Sequence, residues 1–131
     1  MSGPIVYIDT SDIVAGNLDE VKRRITDLVR FVEEAEPQLI SYAFFLDDDE
    51  AVMTVVAVHP DAESLELHMK VGAEHFRGFA GLIEQRAIDV YGQPNDAVMG
   101  LLREKANMLG TGVVHIHHLQ EGFDRFTRPG R

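Results

Sequence analysis

The chain has 131 residues, of which 45% are hydrophobic and 26% charged, enough for one domain whose core needs no covalent staple. It contains no cysteine, which excludes disulfides, thiolate catalysis, iron–sulfur clusters and Cys-based zinc sites. Twelve Lys and Arg stand against twenty-two Asp and Glu; the net charge of −10, with no basic stripe, argues against nucleic acid or an anionic membrane surface as a partner.

Residues 1–13 carry neither a basic segment nor a long apolar run, so no signal peptide is expected. No stretch approaches the roughly 20 apolar residues that span a bilayer. The expected location is the cytoplasm.

Residues 4–9 (PIVYID) read as a first strand. Asn17 opens a helix, with Glu20 three residues on as the second half of a capping box. Leu18, Val21, Ile25, Leu28, Val29 and Val32 recur at helical spacing, and Pro37 ends the helix near Ala35. Residues 39–46 (LISYAFFL) form a second strand and residues 51–59 (AVMTVVAVH) a third. The acidic run Asp47 to Glu50 between them lacks the spaced ligands and internal glycine of a calcium loop, and reads as a hairpin turn.

A second helix opens at Asp61 or at Glu63-Ser64 and carries Leu65, Leu67, His68, Met69 and Val71 until Gly72 weakens it. A short helical piece follows, with Phe76, Phe79, Ala80 and Ile83 on one side. Residues 87–91 (AIDVY) form a fourth strand. The order β-α-β-β-α-β is the split pattern of a ferredoxin-like plait, an α+β fold with an antiparallel sheet. Residues 1–94 form that unit. Residues 95–131 extend it with a helix over residues 97–109, a fifth strand over residues 113–119 and a loose tail from Glu121.

The third strand is apolar on both alternations, with Val52, Val56 and Val58 on one side and Met53, Val55 and Ala57 on the other. Right-handed crossovers put both plait helices on one face of the sheet. The other face needs a cover, and a second copy of the chain is expected to supply it, ahead of the extension helix folding back. The fifth strand must pair with a sheet edge, with the other subunit's edge preferred.

The run Glu63-Ser64-Leu65-Glu66-Leu67-His68, followed by His75-Phe76 and Phe79, is similar to the second-helix signature of the antibiotic biosynthesis monooxygenase-like proteins. Pro37-Gln38-Leu39-Ile40-Ser41-Tyr42 resembles that family's entry into strand two, and Ile88-Asp89-Val90-Tyr91-Gly92 its fourth strand. The resemblance covers residues 4–92. It implies a dimeric α/β barrel, two plait sheets face to face, with a small-molecule pocket between sheet and helices in each subunit. Members include cofactor-independent oxygenases of polyphenols and quinols, and heme-degrading enzymes. This chain has no tryptophan, the residue with which the heme degraders distort the porphyrin and which lines the pocket in some oxygenases.

His68, on the flank of the second helix's apolar stripe, is the first candidate for a general base; it would take a proton from a phenolic substrate whose anion then reacts with O₂. The bland alternative is a core histidine with satisfied nitrogens. His75 lies two turns on, across Gly72, and is the second catalytic candidate. Tyr42 and Tyr91 are candidates to orient a polar substrate group, and Phe44, Phe76 and Phe79 to line an apolar pocket. His115 and His117 project to one side of the fifth strand and could bind a transition metal if a third ligand arrives; Glu121 and Asp124 are the nearest in sequence, and a polar outer face is the favoured reading. No phosphate loop, nucleophile elbow or spaced carboxylate pair is present. The reading is thus a cofactor-independent monooxygenase of a small aromatic or quinol-like compound, with no metal or other cofactor. A non-catalytic small-molecule-binding module is the alternative.

Overall fold

The computed structural model describes residues 3–126; the expectations for residues 1–2 and for the end of the tail, 127–131, lie outside the described residues. Nine elements follow in order: β1 (Ile5–Ile13), α1 (Leu18–Ala35), β2 (Ser41–Leu46), β3 (Val52–His59), α2 (Ala62–Val71), α3 (Ala73–Arg77), β4 (Ile83–Tyr91), α4 (Asp96–Leu109) and β5 (Val114–His117). They form one sheet in the order β2-β3-β1-β4-β5. The first four strands are antiparallel in the ferredoxin-like arrangement, as the sequence pattern predicts.

Two strands are longer than their propensities suggest. β1 runs on through Thr10, Ser11 and Asp12, although Asp is depleted in strands, because the strand is central and hydrogen-bonded on both sides. β4 starts at Ile83 instead of Ala87, with Ile83 and Gln85 inward and Glu84 and Arg86 outward. A register shift between Thr10 and Ser11 marks a bulge where β1 meets β4.

The fifth strand corrects an expectation. β5 pairs in parallel with β4 of its own chain, Ile88 opposite Val114 and Tyr91 opposite His117. β4, α4 and β5 make an ordinary parallel crossover, which needs no second subunit. Nor does α4 cover the bare face, since it packs against α2, α3 and β4 on the helix side of the sheet. Gly110 lets its end lie against β4, for a Cβ there would overlap the Gln85 backbone.

The capping reading is also corrected. Asn17 stands at the N-cap of α1 without a side-chain cap bond. Glu20 pairs instead with Arg23 and with Arg24, the latter at 3.0 Å. At α2 the expected cap forms, with Asp61 Oδ1 accepting from the Ser64 amide at 2.8 Å. The acidic turn is a turn, in which Asp47 Oδ1 accepts from the amides of Ala51 and Val52.

The core lies between helices and sheet. Ile5, Tyr7, Val55, Ala57, Ile88 and Val90 come from the strands, and Leu28, Leu65, Leu102 and Leu109 from the helices. On the other face Val6, Ile8, Thr10, Val52, Thr54 and Val56 are half-buried, and Phe45 is 56% exposed. The tail residues Leu119, Phe123 and Phe126 border an open groove there with Val6 and Tyr91.

Candidate functional site

Alternation along β1 turns Ile5, Tyr7, Asp9 and Ser11 inward, so a carboxylate enters the core beside a phenol. The α4 stripe of Val98, Leu102, Ala106 and Leu109 has Lys105 on the same face. The two elements meet. Lys105 Nζ donates to Tyr7 Oη at 2.8 Å and to Asp9 Oδ2 at 3.3 Å, and Tyr7 Oη donates to the same carboxylate oxygen at 2.5 Å. The ammonium lies 4.1 Å from the Phe76 ring centroid and 4.9 Å from that of Tyr7, so aromatic faces supply part of the hydration it loses. Burial pulls the Lys105 pKa down and Asp9 pulls it back up. Burial, then Asp9, pushes the Tyr7 phenol well above its ordinary value, so it stays neutral and donates.

This cluster forms one wall of a narrow pocket between sheet and helices. Its other walls are apolar, drawn from Leu28, Tyr42, Phe44, Phe76, Phe79 and Leu109, with Gln85 as a further polar member. The space among the walls is narrow, about 20 Å³, room for about one water molecule. Asp9 Oδ1 and Gln85 Oε1 are buried without a hydrogen-bond partner. Tyr42 is held neutral, its phenol raised by burial and then by the charges of Asp9 and Glu36.

A second buried pair lies behind that wall. His68 is 1% exposed, and its Nδ1 lies 2.9 Å from each carboxylate oxygen of Glu36, the residue that ends α1. A carboxylate at Nδ1 fixes the proton there and leaves Nε2 as the lone-pair nitrogen. The ring packs 5.1 Å from Tyr42, 5.2 Å from Phe76 and 5.4 Å from His59. Burial lowers the His68 pKa, with Glu36 opposing. His59 is anchored to Ser64 Oγ at 2.7 Å, which itself accepts from Gln38 Nε2, and burial lowers its pKa to about 3.

Of the residues singled out from the sequence, Tyr42, Phe44, Phe76 and Phe79 come together in the cavity. His68 stands immediately behind Tyr42 and Phe76 and is fully buried, not half-buried on a flank. His75 points elsewhere, stacking on Phe31 at 4.2 Å. Tyr91 is on the opposite face, 42% exposed and stacked on His117 at 4.2 Å. His115 and His117 do share a carboxylate, but it is Asp89 of the neighbouring strand, at 3.3 and 2.8 Å. Among the described residues no three such groups sit where one metal ion could be held. Sequence reasoning missed Asp9, Gln85, Lys105 and Glu36. For Asp9 and Lys105 a signal existed: each is a charge at an inward position of an otherwise apolar period.

No family model and no curated protein matches the chain. Solved structures do. MupZ from Pseudomonas fluorescens superposes with a TM-score of 0.73 at 19% identity over 98% of both chains, extension included. A conserved protein from Bacteroides thetaiotaomicron VPI-5482, described as a possible oxidoreductase, gives 0.63 at 17% identity over 71% of this chain and 100% of its own. A protein named antibiotic biosynthesis monooxygenase gives 0.57 at 18% identity over 70% of this chain and 97% of its own. At such identities the likeness establishes the fold, which is that of the antibiotic biosynthesis monooxygenase-like proteins.

Proposed function

We propose that the chain is a cofactor-independent monooxygenase of a small, apolar aromatic compound bearing hydroxyl groups, acting in the cavity between sheet and helices. One observation carries this reading: a buried carboxylate oxygen of Asp9, without a partner, in an aromatic-lined cavity beside a buried ammonium. Asp9 Oδ1 accepts the proton of a substrate hydroxyl. Lys105 lies close enough to offset the charge of the resulting anion. The electron-rich ring then reacts with O₂ directly. One oxygen atom becomes a carbonyl oxygen in place of two hydrogens, both from a methylene or one from a ring carbon and one from the hydroxyl, and the other leaves with them as water, so the substrate supplies every electron. His68, oriented by Glu36, holds the wall residues Tyr42 and Phe76 from behind and acts as a positioning residue.

The second reading is a non-catalytic binding module, favoured by the narrowness of the cavity, which must widen before a ring enters. Oxygen uptake with a panel of hydroquinones and phenols, with no added flavin, heme or metal, separates the two. The oxygenase reading expects uptake that falls about 100-fold or more in Asp9→Asn. Binding without uptake across the panel supports the module, and full turnover by Asp9→Asn removes the carboxylate from the mechanism. The half-buried apolar face further supports a homodimer with the two sheets facing each other, and the cavity of each subunit on the outer side of its own sheet.

A further inference from the structure

The chain has three lysines, and one differs from the others. Lys22 and Lys70 are about half exposed and pair with Glu50 and Glu66. Lys105 is buried, with 9% of its side chain reaching solvent. Its place is a boundary. Phe76 and Lys105 are walls of the narrow pocket and also of an open cleft of about 350 Å³ among α2, α3 and α4. The Lys105 ammonium, 4.1 Å from the Phe76 ring centroid, thus stands at the partition between the two spaces.

Met69, Ala73, Leu101 and Met108 give the cleft an apolar lining. Of its other charged residues, Lys70 pairs with Glu66, Arg77 pairs with Glu74, and Glu104 is exposed to water. A small apolar ligand therefore suits it better than a charged one. The amine at the partition becomes a nucleophile once it loses a proton, and burial favours its neutral form. Asp9 Oδ2, 3.3 Å away, can take that proton, and moving it within the pair removes two buried charges at once. Tyr7 is hydrogen-bonded to both groups and keeps that oxygen beside the nitrogen.

We propose that Lys105 captures a small apolar aldehyde or unhindered ketone, entering by this cleft, as an imine. The ammonium gives a proton to Asp9, and the nitrogen forms a bond to the carbonyl carbon. The carbonyl oxygen takes the proton from Asp9 and becomes a hydroxyl. Asp9 then removes a second proton from the nitrogen and hands it to that hydroxyl, which leaves as water as the C=N bond forms. The product is a protonated imine. Its nitrogen keeps the positive charge and Asp9 the negative one, so the buried ion pair outlasts the reaction. Nothing is oxidised or reduced, and no O₂ is consumed, so this activity is separate from the oxygenase reading.

The test treats the full chain under argon, at neutral pH, with benzaldehyde and sodium cyanoborohydride, which reduces an imine to a stable benzylamine. Peptide mass mapping then compares the rates at the three lysines. Exposure alone puts Lys105 last. Imine capture instead expects Lys105 to be labelled about tenfold or more faster than Lys22 or Lys70. Ala73→Trp fills the cleft from α3 without altering Tyr7, Asp9 or Lys105. It should slow labelling of Lys105 about tenfold and leave that of Lys22 unchanged. Lys105 labelled no faster than the other two, or labelled as fast in Ala73→Trp as in the unaltered chain, overturns the proposal. The comparison among the three lysines decides the matter by itself if Ala73→Trp does not fold.

Discussion

The two faces of the sheet are built from the same strands yet differ in what they enclose: the helix side is an apolar core with a few polar groups sealed inside it, and the other side leaves apolar side chains partly in water. On the helix side β1 presents Ile5, Tyr7, Asp9 and Ser11, all 2% exposed or less. On the other side the same strand presents Val6, Ile8 and Thr10, half-buried with no helix above them. The closed face thus holds an ion pair, a phenol and an amide that burial makes expensive. The open face holds apolar residues that water makes expensive. A fold seeking only stability would fill the closed face with apolar residues throughout. On the function proposed above, the difference separates two tasks: chemistry on the covered side, assembly on the bare one.

The largest way to break this comparison is to unbalance the covered face. Lys105→Met removes the cation that faces Asp9 and leaves a buried carboxylate uncompensated. The expected loss of stability is about 3–5 kcal/mol, measured by chemical denaturation. Adding Asp9→Leu should restore more than half of that loss, because well-packed apolar residues of similar size often replace a buried pair without penalty. Such a double variant would be stable and inactive. If Lys105→Met costs under about 1 kcal/mol, the pair is not what holds α4 against β1.

How far this arrangement was legible follows from sequence separation. The plait order was readable because Pro37, Pro60, Gly92 and Pro94 punctuate the chain and the periods between them are clean. Residues 10–12 and 83–86 read as non-strand because strand length there is set by pairing on both sides of β1, which local propensity does not record. The aromatic lining of the cavity came out of the apolar periods. Its polar groups did not, since Asp9 looked like the end of a strand and Lys105 like one more surface cation. The partners Asp9 and Lys105 lie 96 positions apart, and His68 and Glu36 lie 32 apart. Nothing local joins them. The placement of β5 differs from the expectation for another reason: a helix between two strands forms most simply a parallel crossover within one chain, and the bare face of the sheet is a separate matter.

Acid sharpens the comparison next. His59 is fully buried, with its pKa lowered from 6.5 to about 3. Between those values the unfolded chain takes up a proton that the folded chain refuses. Stability from this group is therefore complete above about pH 6.5 and falls as the pH drops toward 3, by up to about 1.4 kcal/mol per pH unit. His68, lowered by burial as well, adds to the loss in the same direction. In His59→Gln, which can still pair with Ser64, the slope of unfolding free energy against pH from 4 to 6 should become shallower. An identical slope would place the acid sensitivity elsewhere.

The smallest expected effect on the folded chain is on the open face, and two adjacent residues of β2 make the cleanest contrast. Phe44 points to the cavity; Phe45 points the other way, opposite Thr54 of β3, and is 56% exposed. Phe44→Ala should destabilise the chain by about 2 kcal/mol, less than a fully buried phenylalanine because it is only half-buried. Phe45→Ser, already in water, should change the stability of the isolated chain by no more than about 0.5 kcal/mol. Its effect should fall on association. If the bare faces of two chains meet, an aromatic side chain on that face is desolvated in the contact, and its loss should weaken the dimer about tenfold or more while leaving turnover per subunit unchanged. Light scattering reads both parts. A mass near 14.6 kDa for the unaltered chain at micromolar concentration would show that the faces do not pair. A dimer insensitive to Phe45→Ser would place its interface away from β2, and the tail residues Leu119 and Phe123, 78% and 80% exposed on the same side of the sheet, would be the next to alter.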